Sequence, residues 1–315
     1  MIEVKNLTKR YGPTLAVDNI SFEISKGEVV GFLGPNGAGK STTIRVLATY
    51  LPASSGTATV GGHDVFNDSM AVRRLVGYLP ESTPLYPEMR VREYLNFRAK
   101  LRGMDKRERA AAIGRVTERC WLSDFLDRPI GQCSKGMKQR VGLSDALLHN
   151  PPVLILDEPT IGLDPTQIRE TRKLIGDLAQ QHTVLLCTHI LPEVEMVCSR
   201  TIIIANGKIV ASGSPKQLRE RVAGRSRLIA ELGGPKEEIT PLLESLDGVR
   251  RVECGSEDGW NRFAIETEEG KDLRLTIVHL ASQKKWPLRE IRREIGSLEE
   301  FFIQITAQQA QNRPK

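Results

Sequence analysis

The sequence predicts an α/β protein with a parallel core sheet, followed by a smaller α+β domain. Three short apolar runs, Val29–Leu33, Val153–Leu156 and Thr183–Leu186, are typical of strands that are covered on both faces. Helical patterns lie between these runs, which favours parallel strands joined by crossover helices. The composition changes after Ser212-Gly213-Ser214-Pro215, and a chain of 315 residues is long enough for one large domain and a second, smaller one.

The first domain, placed at residues 1–220, combines three kinds of structure. Alternating runs and turns over Met1–Val60 predict an antiparallel β subdomain. From about residue 85 to residue 150 the pattern is helical, which predicts a helical subdomain. Asn206-Gly207 lies between two apolar runs and is a strong hairpin signal. We therefore expect the core sheet to be parallel or mixed.

The second domain, placed at residues 221–315, has a different order of elements. The strand patterns lie at Arg227–Leu232, Val249–Cys254, Arg262–Thr267 and Leu288–Arg292, and the helical ones at Lys236–Leu246 and Lys271–Ser282. The order β-α-β-β-α-β is that of the ferredoxin-like arrangement. We expect an amphipathic helix over Leu298–Ile305 to close the domain.

A glycine-rich turn between the first apolar run and a helical pattern carries the clearest chemical signal. It reads Gly34-Pro35-Asn36-Gly37-Ala38-Gly39-Lys40-Ser41-Thr42 and matches the pattern G-x-x-x-x-G-K-[ST]. Glycines let successive backbone N–H groups turn toward an anion, and the N-terminus of the next helix adds partial positive charge. Lys40 can reach the outer phosphates, and the Ser41 hydroxyl can hold Mg²⁺. The turn therefore predicts binding of a nucleoside triphosphate.

Two carboxylates follow the second apolar run, where Asp157 and Glu158 end a strand. Neighbouring side chains diverge at a strand end, so the two residues can have different tasks. Asp157 suits a Mg²⁺ shell, and Glu158 can polarise an attacking water molecule.

In this order, the motifs resemble those of the ATP-binding cassette (ABC) ATPases, the motor subunits of transporters. The resemblance covers Met1 to about Pro215 and includes Cys133-Ser134-Lys135-Gly136-Met137-Lys138-Gln139-Arg140, which is similar to the family's signature segment. Ser134 and Gly136 match that segment, whereas Lys135 replaces a glycine and Met137 replaces a glutamine. The resemblance implies a P-loop NTPase cassette fold, ATP and Mg²⁺ as ligands, and a head-to-tail dimer in which two copies enclose two ATP molecules.

Four further residues gain roles from the resemblance alone. Tyr11 matches the aromatic residue that stacks on adenine, and His189 matches the switch histidine that contacts the γ-phosphate and orients water with Glu158. Glu81 stands where the family usually has glutamine, and its carboxylate can also bind Mg²⁺; such a glutamate is similar to the subgroup that works with separate export permeases. Asp164 resembles a residue that links the two sites across the dimer, and it is also a good helix N-cap.

The resemblance also implies the partners and the location of the protein. We expect an ATP hydrolase that is the motor of an exporter, bound to the cytoplasmic side of the cell membrane as a peripheral subunit. Its partners would be an integral membrane permease and a second copy of itself or a related cassette. No run approaches the roughly 18 apolar residues of a spanning helix, so the permease is expected to be another chain. The C-terminal domain is similar to those of drug, lipid or polysaccharide exporter motors, and we expect it to serve dimerisation or regulation.

Charge and composition exclude some functions and leave others open. Between Arg90 and Arg119 there are ten Lys/Arg and four Asp/Glu, which indicates either a solvated helical face or a face near lipid head groups or an acidic partner. Aromatic residues are too sparse there to stack bases, so no nucleic acid is expected. Five cysteines without a C-x-x-C pair favour a reducing cytosol.

The apolar residues that could form a groove for a partner helix, or could simply pack, are Pro84, Tyr86, Pro87, Val91 and Tyr94.

Two other functions remain open at this point. A soluble cassette ATPase could act on ribosomes or DNA, but such relatives usually carry two cassettes or a very long coiled-coil insertion. This chain has one cassette and a short segment between Lys40 and Ser134. A catalytically silent nucleotide sensor is the second alternative, and the presence of Glu158 and His189 argues against it.

Overall fold

The fold is described from a computed structural model. The structure describes residues 1–223, 227–257, 259–268 and 271–294, together with Glu299 and Phe302. The chain divides into two compact units, Met1–Pro215 and Lys216–Lys315.

The first unit contains the elements of an α/β domain. Its strands are β1 (Ile2–Tyr11), β2 (Thr14–Ile24), β3 (Val29–Leu33), β4 (Ser55–Val60), β5 (His63–Asp64), β6 (Val76–Leu79), β7 (Val153–Asp157), β8 (Thr183–Thr188), β9 (Arg200–Ala205) and β10 (Lys208–Gly213). Its helices are α1 (Lys40–Leu47), α2 (Ser69–Leu75), α3 (Val91–Leu101), α4 (Lys106–Arg119), α5 (Lys135–Leu147), α6 (Pro165–Ala179) and α7 (Leu191–Val197), and α8 (Pro215–Ala223) crosses the boundary between the units.

These strands form two sheets. An antiparallel sheet has the order β2-β1-β4-β5, and a larger sheet has the order β10-β9-β3-β8-β7-β6. In the larger sheet all neighbouring strands are parallel except β9 and β10, which form the expected hairpin around Asn206-Gly207. Both turn residues have positive φ, 48° and 78°, as a type I′ turn requires. The predicted antiparallel subdomain and mixed core sheet are confirmed.

The main core lies between the two sheets and around α1. Strands β3, β7 and β8 are buried along their whole length, which explains why their sequences are continuous apolar runs. In β1, by contrast, Ile2 and Val4 face inward while Glu3 is exposed. Ile2 and Val4 belong to the same apolar cluster as Ile44 and Leu47 of α1.

The helical part, α3 to α5, confirms the predicted helical subdomain and distinguishes the two alternatives for its apolar residues. Val91 and Tyr94 are 0% and 2% exposed, so for these two residues the structure favours packing, which was one of the two alternatives left open by the sequence. The Tyr94 hydroxyl donates to Asp145 of α5 at 3.3 Å, and the Arg98 guanidinium binds the same carboxylate at 2.9 Å. Because its hydroxyl has a hydrogen-bond partner, Tyr94 can be part of the core. Tyr86 remains exposed at 44%.

The second unit has its own sheet and core. It contains β11 (Arg227–Leu232), α9 (Lys236–Glu244), β12 (Val249–Glu257), β13 (Trp260–Thr267), α10 (Arg274–Lys284) and β14 (Leu288–Glu294). The sheet is antiparallel with the order β12-β13-β11-β14, and Ile239 and Ile277 of the two helices belong to the same apolar cluster as Phe263. The predicted β-α-β-β-α-β order is confirmed. The predicted helix over Leu298–Ile305 lies, except for Glu299 and Phe302, outside the described residues.

In the part of the chain that the structure describes, no helix has both the length and the hydropathy needed to cross a membrane.

Candidate functional site

The phosphate loop connects β3 to α1, as the motif requires. Gly39 precedes the first residue of α1 and has a φ of 104°, a conformation that favours glycine. A Cβ on Gly39 would lie 2.5 Å from the Ala16 carbonyl oxygen, so no side chain fits there. Helix α1 has no acidic residue in its first turn. Its own side chains therefore do not neutralise the partial positive charge that attracts an anion.

Lys40 is held inside this loop. The residue is 5% exposed, and its Nζ donates to the Gly34 carbonyl at 2.7 Å and to the Pro35 carbonyl at 3.1 Å. The same Nζ lies 3.9 Å from Glu158 Oε1. A cation is thus placed between the loop and the acidic strand end.

Asp157 lies at the end of β7 and is 1% exposed. The Ser41 hydroxyl donates to its Oδ1 at 3.4 Å. Burial raises the pKa of Asp157, and hydrogen bonds from Cys187 and Ser41 act in the opposite direction, while the charge of Glu81 adds to the rise. A hydroxyl and a carboxylate side by side are the oxygen ligands that Mg²⁺ accepts, so these residues fit the ion.

Glu158 directly follows β7 and His189 directly follows the neighbouring strand β8, and the two side chains are in contact. The Glu158 backbone has a φ of 49°, which is uncommon for glutamate and of the kind found at functional sites. Its Oε1 lies 2.8 Å from His189 Nδ1, and the Thr188 hydroxyl donates to its Oε2 at 3.4 Å. Burial raises the pKa of Glu158, opposed by the hydrogen bond and charge of His189 and by the charge of Lys40. A carboxylate with a raised pKa is a stronger base toward water.

One cleft of about 730 Å³ collects these groups. Among the predicted residues, those that line it are Asn36, Gly37, Gly39, Lys40, Ser41, Thr42, Glu81, Glu158 and His189. Sequence reasoning missed the rest of the wall, which is formed by Ala16, Thr160, Ile161, Gly162, Leu163, Ile168 and Ile190. Most of these residues are apolar or small and lie in loops or near helix starts. No sequence pattern marks them, because only the folded path of the loops brings them to the cleft.

Eight predicted residues do not line this cleft: Gly34, Pro35 and Ala38 of the phosphate loop, Asp157, which accepts a hydrogen bond from Ser41, and Tyr11, Ser134, Gly136 and Asp164. Tyr11 ends β1, is 44% exposed and lies under the Lys9 Nζ, 5.3 Å from the ring centroid. Ser134 is the N-cap of α5 and accepts from the Met137 N–H at 3.2 Å, and Gly136 is buried in the first turn of that helix. Asp164 is the N-cap of α6. Their roles at a nucleotide therefore stay predictions.

The helix that begins at Ser134 is tied to the loop after Glu158. Gln139 Nε2 donates to the Pro159 carbonyl at 3.0 Å. The Lys135 side chain crosses Gly162 so closely that a Cβ there would lie 2.0 Å from its Nζ. Lys135, which departs from the signature pattern, thus places its ammonium beside a residue of the cleft wall.

Comparison with known proteins places these features in one family. The model of the family described as "ABC transporter" matches residues 17–161. The linearmycin resistance ATP-binding protein LnrL of Bacillus subtilis is 36% identical over 97% of this chain and 98% of its own length. The Nod factor export ATP-binding protein I of Burkholderia thailandensis is 34% identical over 99% of this chain and 98% of its own length.

A solved structure agrees with the sequence relatives. It is a dimeric ATP-binding cassette in a post-hydrolysis state, bound to ADP and Pi. That cassette is 25% identical, with a TM-score of 0.63 over 68% of this chain and 98% of its own. The family model spans the phosphate loop and Glu158, and the two sequence relatives match almost the whole chain.

Proposed function

Since this chain belongs to the ABC transporter ATP-binding proteins, we propose that it is the ATP-hydrolysing motor of an exporter whose membrane-spanning subunit is a separate chain. The observation that carries the hydrolytic part is the Glu158–His189 contact of 2.8 Å in the same cleft as Lys40. The export part is supported by relatives that match almost the whole chain, one of which is a Nod factor export protein. We place the protein at the cytoplasmic side of the membrane on the same grounds.

In the proposed reaction the phosphate loop and Lys40 bind the outer phosphates of ATP. Glu158 accepts a proton from the attacking water, and His189 holds the Glu158 carboxylate and contacts the γ-phosphate. Ser41, Asp157 and Glu81 would hold Mg²⁺, which neutralises phosphate charge when it is bound. The low exposure of Lys40 and Glu158, 5% for each, keeps both charges in a medium where they act strongly.

The proposed active form is a dimer, with either a second copy or a related cassette. Ser134 and Gly136 lie outside their own cleft, which supports a role at the nucleotide of the other copy, and we assign Tyr11 to adenine stacking and Asp164 to the contact between the two sites. One solved structure similar to this chain is a dimer. A nucleotide that contacts both copies stabilises the closed form, and its hydrolysis removes that stabilisation.

Glu158→Gln tests the hydrolytic role. Burial raises the Glu158 pKa, so the ionised carboxylate costs stability above its ordinary pKa, and the neutral amide removes that cost. We therefore expect unchanged or higher thermal stability, retained ATP binding and a turnover about 10²–10⁴-fold lower. Glu118→Gln, on the exposed surface of α4, is the matched control. A Glu158→Gln variant with turnover within tenfold of the wild type would exclude this role.

The dimer and the permease need separate measurements. In the presence of ATP, the mass of Glu158→Gln measured by light scattering should double. Lys40→Ala should bind no nucleotide and stay monomeric. A monomeric Glu158→Gln protein at saturating ATP would contradict the proposed dimer in which two copies enclose the nucleotides. Co-purification with a multi-span membrane protein encoded beside this chain would support the export role. Co-purification with ribosomes or DNA instead would favour the soluble alternative.

A further inference from the structure

A buried carboxylate lies behind the cleft and has no role so far. Glu193, on the short helix α7, is 1% exposed. Fully buried glutamates are rare, because desolvating the charge costs several kcal/mol. The hydroxyl of Thr160, itself 2% exposed, donates to Glu193 Oε1. Arg172 Nη2 lies 3.7 Å from the same oxygen.

These three residues connect the segments that carry the proposed chemistry. Thr160 follows Glu158 by two residues and lines the cleft. Glu193 follows His189 by four residues and lies in the first turn of α7. Arg172 lies on α6, the helix that Asp164 caps. The Thr160–Glu193 hydrogen bond therefore closes a loop between the two chain segments that bring Glu158 and His189 together.

Helix α7, which carries Glu193, is short and weakly capped. It has seven residues, and Ile190 at its N-cap position offers no side-chain hydrogen bond. Its underside is fixed against β3, because a Cβ on Gly31 would lie 2.8 Å from Val194 Cγ1. Glu193 immediately precedes Val194 in the helix, and its bond to Thr160 adds a directional contact to the apolar one. His189 lies just before this helix, next to its N-cap residue Ile190.

The network is not built for maximum stability. Glu193 Oε2 and Arg172 Nε are buried and have no hydrogen-bond partner among the described residues. Incompletely paired buried charges stabilise a fold less than apolar residues of the same size. The presence of these buried charged groups therefore indicates that the network serves to hold its residues in fixed positions.

We propose that Glu193 is a positioning residue for ATP hydrolysis, which holds His189 against Glu158 through its hydrogen bond with Thr160, with Arg172 as the balancing cation. The proposal rests on the hydrolytic roles proposed for Glu158 and His189. Glu193 itself contacts no reacting atom.

Thr160→Val tests the proposal, since it removes the hydroxyl and keeps the shape. We expect kcat to fall about tenfold or more, the loss of one hydrogen bond to a buried charge, with the KM for ATP within about twofold of the wild type. Thr201→Val is the matched control, because Thr201 is 0% exposed and its hydroxyl has no hydrogen-bond partner among the described residues. Glu193→Gln retains an acceptor for Thr160 and should keep more activity than Glu193→Leu. Equal turnover of Thr160→Val and Thr201→Val would overturn the proposal.

A double-mutant cycle separates positioning from general stability. In a His189→Ala background, measured by single-turnover phosphate release, Thr160→Val should lower the rate by less than about twofold, because the group it positions is gone. The same fold loss in both backgrounds would show a merely structural role and would also overturn the proposal. Failure of the proposed hydrolytic function looks different, since Glu158→Gln would then keep its turnover whatever Thr160→Val does.

Discussion

Asp164 has two possible roles, and they can be separated by substitution. Its Oδ1 accepts hydrogen bonds from the Thr166 N–H at 3.0 Å and from the Gln167 N–H at 2.9 Å, and Pro165 begins the helix. Asp164 is therefore a helix N-cap whatever else it does. The proposed second role is a contact between the two nucleotide sites of a dimer.

The size of the capping effect follows from these two bonds. Asp164→Ala leaves two N–H groups without their acceptor and should cost about 0.5–2 kcal/mol. For a unit of this size, about 1 kcal/mol lowers the thermal midpoint by roughly 2–4 °C. Asp164→Asn keeps the acceptor and loses only the charge at the helix N-terminus, which is worth about 0.3–1 kcal/mol. Asparagine should therefore restore part of the stability.

Differential scanning calorimetry and steady-state ATPase assays together decide between the roles. If Asp164 also acts across the dimer, Asp164→Asn should remain well folded but lose about tenfold in turnover, the loss of one charge-assisted hydrogen bond. Normal turnover and ATP-dependent dimerisation of Asp164→Asn would leave Asp164 as a cap alone. An unchanged midpoint for Asp164→Ala would refute the capping argument itself.

Three further predictions follow from the site and from the second unit. In His189→Ala the hydrogen bond and charge that lower the Glu158 pKa are gone, so the acid limb of the kcat–pH profile should move to higher pH; an unmoved limb would contradict the contact. Glu81→Gln should keep ATPase activity in solution but reduce transport in vesicles that contain the permease, whereas loss of both would place Glu81 in hydrolysis. Phe263→Ala, at a residue 0% exposed in the core of the second unit, should lower the free energy of unfolding of that unit by about 3–5 kcal/mol, as measured by denaturant titration; a loss below about 1 kcal/mol would contradict that packing.

The elements that the sequence predicted well are those whose structure is determined by residues close together in the chain. The phosphate loop has a fixed spacing of glycines before Lys40, and its curl needs only those residues. The hairpin at Asn206-Gly207 depends on two residues that accept positive φ. Strands β3, β7 and β8 were visible as apolar runs because both of their faces are covered.

What the sequence could not show depends on contacts between distant residues. For Tyr94 the sequence left a groove and core packing open, and the hydrogen bond to Asp145, far along the chain, is what makes its hydroxyl acceptable in the core. Glu193 has no marker at all, since a glutamate in a short helix is usually exposed. Ala16 and Leu163 line the cleft because of the path of the chain around them.

The residues that escaped prediction complete the arrangement that the motifs only begin. A phosphate loop and an acidic strand end supply a cation, a base and oxygen ligands, but catalysis requires these groups to be held to within a fraction of an ångström. The 2.8 Å contact between Glu158 and His189 joins two strand ends whose following segments are loops and a helix of seven residues. Such short elements do not fix a side chain by themselves. The buried bond between Thr160 and Glu193 crosses from one of these segments to the other, which is why we expect its loss to appear in kcat and not in the affinity for ATP.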